Sequence, residues 1–137
     1  TRGILCTSGG HIDIHHNTFE HVFMANVFVS NDANDWYESG PVRDMQIHHN
    51  VFHLPTLRQK RFWPTLAAEG LSLTCRAAVL VEPITLGGKI TAPVHSGIRI
   101  FENEITLTDG YALWSKGGGD IEIDDKDHPV HIEPLDK

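Results

Sequence analysis

The chain has 137 residues, 40% of them hydrophobic and 21% charged, a composition that fits one folded domain and excludes a disordered or low-complexity segment. Eighteen acidic against eleven basic residues give a formal charge of −7, which leaves no basic face for a phosphate backbone or anionic lipid, so neither nucleic acid nor a membrane is an expected partner. Cys6 and Cys75 form no CxxC pair and read as buried small side chains rather than metal ligands, and Thr1-Arg2-Gly3 carries neither an initiator Met nor a signal-peptide pattern, so we expect the chain to begin inside a longer or processed protein.

The first periodic element is HIDIHHNTF (11–19), in which Ile12 and Ile14 alternate with polar residues and predict a short strand with one buried face. A second strand, NVFVS, follows with Val27 ten residues past Asn17, and then comes the polar and aromatic stretch NDANDWYESGPV (31–42). The first pattern returns as DMQIHHNVF (44–52), where Met45, Ile47 and Asn50 take the places of Ile12, Ile14 and Asn17. The stretch LPTLRQKRFWPTLAAEG (54–70) precedes the strand AVLV, which EPITLGGKITAPVHSG (82–97) follows. GIRIFENEI (97–105) repeats the pattern with Ile98, Ile100 and Asn103, YALWS places Leu113 ten residues past Asn103, and IEI (121–123) is a fourth copy without the Asn.

Successive copies lie 33, 53 and 23 residues apart, and 23 is the bare period. Short apolar strands recurring at that interval predict an all-β fold, a right-handed parallel β-helix wound as a single-stranded solenoid of about four coils, truncated at its ends. Residues 1–125 would form the coils and 126–137 a tail or cap. Asn17, Asn50 and Asn103 are expected to stack at one corner, since Asn tolerates the left-handed turn conformation and its amide bonds along a ladder. Of His15-His16 and His48-His49, one ring of each pair should point outward and stack on its counterpart, without forming a functional metal site. An open first coil would promote self-association.

A solenoid coil must close on itself, so residues beyond the bare period leave as corner loops and build the binding surface. With Val27 and Val29 inward, Phe28, Ser30 and Asp32 point outward; with Val79 and Val81 inward, so do Leu80 and Glu82. Parallel neighbours are about 4.8 Å apart, so the carboxyls of Asp32 and Glu82 approach to roughly 5–10 Å. That range covers both glycosidase separations, about 5–5.5 Å for retention and about 6.5–9.5 Å for inversion, and leaves the choice open. Glu38 is a third candidate acid. Trp36, Tyr37, Phe62, Trp63 and Trp114 are candidate sugar platforms, with packing the stronger reading for Trp114. Two other classes remain: a non-catalytic carbohydrate-binding or spacer module, and a Ca²⁺-dependent polysaccharide lyase using Asp32, Asp35 and Glu38 with Lys60 or Arg61 as base.

The run DANDWYESGPVRDMQIHHNVF (32–52), supported by GILCTSGGHIDIHHNTFEHV and RAAVLVEP, resembles the signature segment of glycoside hydrolase family 110. The resemblance implies a secreted or periplasmic bacterial exo-α-galactosidase that removes terminal α-1,3-linked galactose from glycans, including blood-group B structures, by an inverting mechanism without a cofactor. Asp32, Asn34, Trp36, Glu38 and Ser39 match the signature, and Glu82 falls at an acidic position beside Pro83. We expect Asp32 as general base and Glu82 as general acid, two roles that can be exchanged, with Glu38 able to take either; Asn34, Trp36, Tyr37, Trp63 and Arg43 are the substrate-binding candidates, with no metal ligand.

Overall fold

The computed structural model describes residues 3–7, 9–20, 22, 25–30, 41–54, 77–83, 89–107 and 110–137. In chain order the strands are β1 (Ile4–Cys6), β2 (His11–His15), β3 (Thr18–Phe19), β4 (Val27–Val29), β5 (Asp44–His48), β6 (Val51–Leu54), β7 (Ala77–Val81), β8 (Ile98–Phe101), β9 (Glu104–Leu107), β10 (Tyr111–Lys116), β11 (Ile121–Ile123) and β12 (Val130–Glu133). They form three sheets, ordered β1-β4-β7-β10-β12, β11-β8-β5-β2 and β3-β6-β9. Every pairing is parallel. From β1 to β11 the chain visits the five-, four- and three-stranded sheets in the same rotation, so strands far apart in sequence become hydrogen-bonded neighbours. This arrangement is consistent with a parallel β-helix.

The register follows the sequence repeat residue by residue. Ile12 pairs with Met45, Met45 with Ile98 and Ile98 with Ile121, while Val27 and Leu113 both pair with Val79. The alternation that predicted inward residues therefore holds: Ile14, Met45, Ile47, Ile98 and Ile100 from one sheet meet Val27, Val29, Val79, Val81 and Leu113 from another in a single core. Phe19 and Phe52, two residues past their asparagines, close that core from the three-stranded sheet, with ring centroids 4.9 Å apart. A slip of one residue would turn each of these side chains to the other face, so burial of the aliphatic set locks the register.

At the corner between the four- and three-stranded sheets the asparagines form the expected ladder. Asn50 Oδ1 accepts from the backbone N–H and Nδ2 of Asn17 at 3.0 and 3.1 Å, and Asn103 Oδ1 accepts from the same two groups of Asn50 at 3.0 and 3.1 Å. The left-handed residue is not the Asn but the one before it: φ is 56° at His16, 53° at His49 and 53° at Glu102. Such a conformation costs a non-glycine residue about 1–2 kcal/mol, a strain held in place by the amide ladder that follows it. It also breaks strand alternation, so both rings of each His pair stack: His15 on His48 at 5.3 Å and His16 on His49 at 5.4 Å, with Phe101 extending the first stack at 4.9 Å. The expectation of one outward ring per pair is corrected accordingly. Among the described residues, no three His, Cys, Asp or Glu side chains converge in a way that would hold a metal ion.

The far side of the five-stranded sheet is apolar as well. Phe28, Leu80 and Trp114 are aligned across β4, β7 and β10 and are buried in a second cluster, and the Trp114 ring stacks on His131 at 5.6 Å. Outward here does not mean exposed. A parallel strand covered on both faces reads as a continuous apolar run, as β7 does with all five residues buried. Cys6 also lies in the main core, where burial lifts its thiol to a pKa of about 11. Its thiolate is therefore scarce at neutral pH, and we expect Cys6 to resist a thiol-alkylating reagent at pH 8 until denaturant is added; labelling of the native chain at Cys6, read by peptide mapping, would contradict that burial.

Candidate active site

Two of the three inserted stretches leave the repeat at the same place, the corner from the five- to the four-stranded sheet: residues 30–43 join β4 to β5, and 82–97 join β7 to β8. The bare coil needs only 117–120 to make that connection between β10 and β11. The third stretch, 55–76, precedes β7. The extra residues therefore enter the chain directly after β4, directly after β7 and before β7, and insertions of this kind in solenoid proteins build recognition surfaces.

Glu82 is the first residue after β7. The pairings Val29 with Val81 and Val81 with Ser115 carry the ladder forward, so Glu82 lies level with Ser30 of one neighbouring coil and Lys116 of the other. Its backbone N–H donates to Val29 O at 3.1 Å, which fixes the main chain at the point where the side chain departs. The side chain is half-buried, and this desolvation raises the carboxyl pKa above its ordinary value, while the Lys116 ammonium lowers it. A carboxyl whose pKa burial raises, at the corner where two insertions leave the repeat, is chemically equipped to be a general acid.

The other end of the corner is held by His95, which is fully buried. Val42 donates its backbone N–H to His95 Nδ1 at 3.0 Å, so Nδ1 is an acceptor and the ring proton resides on Nε2, which finds no partner among the described residues. Burial drops the imidazole pKa to about 4 and keeps it neutral. With Ser96 N–H donating to Val42 O at 2.9 Å, His95 ties the end of 82–97 to the entry of β5. Gly97 completes this junction at φ 68°, where a Cβ would collide with the carbonyl of Arg43.

A third group closes over the same corner from the chain's last residues. Asp136 N–H donates to Ile90 O at 2.7 Å, Ile90 N–H donates to Asp136 Oδ2 at 2.8 Å, and Lys116 Nζ donates to Asp136 Oδ1 at 3.2 Å. These two donors hold the Asp136 carboxyl below its ordinary range. Gly117, at φ 71°, lets Pro83 and Ile90 approach to within 3.0 Å of the position its Cβ would take.

Of the residues expected to form the site, Glu82 stands at the start of this corner and Arg43 at its end, exposed and one residue before β5. Asp32, Asn34, Trp36, Tyr37, Glu38 and Trp63 lie outside the described residues, as do Asp35, Lys60, Arg61 and Phe62. Trp114 is packed inside the second cluster and offers no face to a sugar. Sequence reading missed His95, Lys116 and Asp136. Lys116 was within reach: counting three residues on from the alignment of Leu113 with Val79 puts it beside Glu82. No period marks the other two, which come from a connecting segment and the tail.

No family model matches the chain. Among curated proteins it is similar to alpha-1,3-galactosidase A of Peterkaempfera griseoplana, 32% identical over 125 residues that cover 91% of this chain and 15% of that protein. It is also similar to alpha-1,3-galactosidase A of Streptomyces avermitilis, 31% identical over 98% of this chain and 20% of that protein. With alpha-1,3-galactosidase B of Bacteroides thetaiotaomicron the identity is 30% over 84% of this chain and 17% of that protein. The chain therefore spans between 15% and 20% of the length of these relatives. The resemblance carried by residues 32–52 is borne out, and over most of its length the chain is homologous to a segment of the alpha-1,3-galactosidases.

Proposed function

We propose that this chain is part of the right-handed parallel β-helix of a secreted or periplasmic bacterial exo-glycosidase that removes terminal α-1,3-linked galactose with inversion, and that the corner after β4 and β7 contributes to its active site. The observation that carries the reading is the half-buried Glu82, its carboxyl pKa raised, at the corner from which both 30–43 and 82–97 depart. The homology supplies the chemical class. Glycoside hydrolysis needs a carboxylic acid to protonate the leaving oxygen and a carboxylate to activate water on the opposite face of the ring. Glu82 takes the first role and Asp32, two residues beyond its ladder neighbour Ser30, the second, with Glu38 able to serve in either. Asn34, Trp36, Tyr37, Trp63 and Arg43 contact the galactose and the sugar that bears it.

The test is incubation of the full-length protein with a disaccharide ending in α-1,3-linked galactose and with its α-1,4- and β-linked counterparts, the released sugar being followed by proton NMR. Release of β-galactose as the first product, from the α-1,3 substrate only, is expected. Binding without turnover would instead assign a carbohydrate-binding or spacer module, and α-galactose as the first product would overturn inversion.

A further inference from the structure

The cation whose charge Glu82 feels among the described residues, Lys116, is ion-paired with a different carboxylate. Lys116 ends β10, level with Glu82 across the β7–β10 ladder, at the spacing of about 4.8 Å that separates parallel strands. On its other flank β12 pairs Lys116 with Glu133, but Glu133 Oε2 is engaged by His131 Nε2 at 2.6 Å. The ammonium turns to Asp136 instead, at 3.2 Å, with only 24% of its side chain exposed. Asp136 is no loose surface partner. It is pinned by the reciprocal contacts with the backbone of Ile90, and Lys89 Nζ donates to a main-chain oxygen of Lys137 at 3.1 Å, so residues 136 and 137 are strapped to the segment that begins at Glu82.

We propose that the Lys116–Asp136 pair is a positioning device for Glu82: Asp136, anchored on the backbone of Ile90, decides how much of the Lys116 ammonium is left to the carboxyl one coil away. This rests on the assignment of Glu82 as the acid under the function proposed above. The described charged groups around the pair are Glu82 on one side, Glu133 and Asp136 on the other, and Lys89 behind Asp136; Ser30, beyond Glu82, carries no charge. A cation near a carboxylic acid favours its ionised form, and a second carboxylate on that cation diverts it. Removing the cation and removing its anchor must therefore act in opposite directions, which loss of packing alone does not do.

The experiment titrates the Glu82 carboxyl by carbon NMR in the 137-residue chain, assigned with Glu82→Gln, in the parent sequence and in Lys116→Met, Asp136→Asn and Lys116→Arg. The midpoint is expected to rise in Lys116→Met, fall in Asp136→Asn and return toward the parent value in Lys116→Arg. Midpoints that stay put, or that move in the same direction in the first two variants, overturn the proposal. Should Lys116→Met fail to fold, the fall in Asp136→Asn and the near-parent value in Lys116→Arg carry the decision. The titration reads the carboxyl without turnover, so it stands apart from the galactosidase assignment. In the full-length protein the alkaline limb of kcat/KM should follow the midpoints, upward for Lys116→Met and downward for Asp136→Asn. Shifted midpoints with an unmoved alkaline limb would leave the device intact and remove Glu82 from the acid role.

Discussion

Asn50→Ala lowers the unfolding free energy of the chain by about 3–5 kcal/mol, the sum expected when several buried hydrogen-bonding groups lose their partner at once. The Asn50 side chain is fully buried and bonds in both directions along the corner: Oδ1 accepts from Asn17, and Nδ2 donates to Ile14 O at 3.0 Å and to Asn103 Oδ1 at 3.1 Å. Alanine strands the Asn17 N–H and the Ile14 carbonyl. It also releases the left-handed residues His16 and His49 from the amides that follow them. The loss is large beside the roughly 5–15 kcal/mol that separates folded from unfolded domains, so the variant should unfold at a much lower urea concentration. Asn17→Ala is the control: its exposed Nδ2 only donates, and no described coil lies beyond it on that side, so it should cost about 1 kcal/mol. Urea titrations that place the two variants together would show that the ladder does not hold the corner.

That ladder marks the limit of what the sequence discloses. The register Ile12–Met45–Ile98–Ile121 was legible because a position buried in every coil must be filled by an apolar side chain in every coil, and insertions between coils leave this demand untouched. The asparagine corner was legible for the same reason, a stack being useful only if each coil contributes. The left-handed φ at His16, His49 and Glu102 was hidden because no glycine announces it; the strain is tolerated through contacts made by the next residue. The covered face of Phe28, Leu80 and Trp114 was hidden because alternation tells which side a residue takes and not what lies on that side. The strap from Asp136 to Ile90 was beyond any period, since it joins two non-repeating segments 46 residues apart. Of the candidate site, the sequence put Glu82 directly after its strand, as the structure does, and left unseen Lys116 and the tail residue Asp136 that pairs with it.

Glu82→Gln in the full-length protein is expected to lower kcat/KM on an α-1,3-linked galactoside by roughly 10²–10⁴, the contribution of a positioned general acid. Glutamine keeps the shape and a hydrogen-bond donor, so the loss reports the transferable proton and not the side chain's volume. The size of the loss should depend on the leaving group. A sugar alkoxide needs the proton as the glycosidic bond breaks, whereas an aryl galactoside with an acidic phenol departs nearly unaided, so its turnover should fall far less. Asp32→Asn, removing the residue assigned to activate water, should slow both substrates alike. The pH profile gives a second handle with a definite sign. In the proposed acid role Glu82 must be protonated; burial raises its pKa, so activity should persist to higher pH than an exposed carboxyl allows, then fall as pH passes through the folded pKa. In Glu82→Gln that alkaline limb should vanish while the acidic limb, set by the base, remains. Equal losses on both leaving groups with an unchanged alkaline limb would assign proton donation to another carboxyl, and Glu38 is then the next residue to replace.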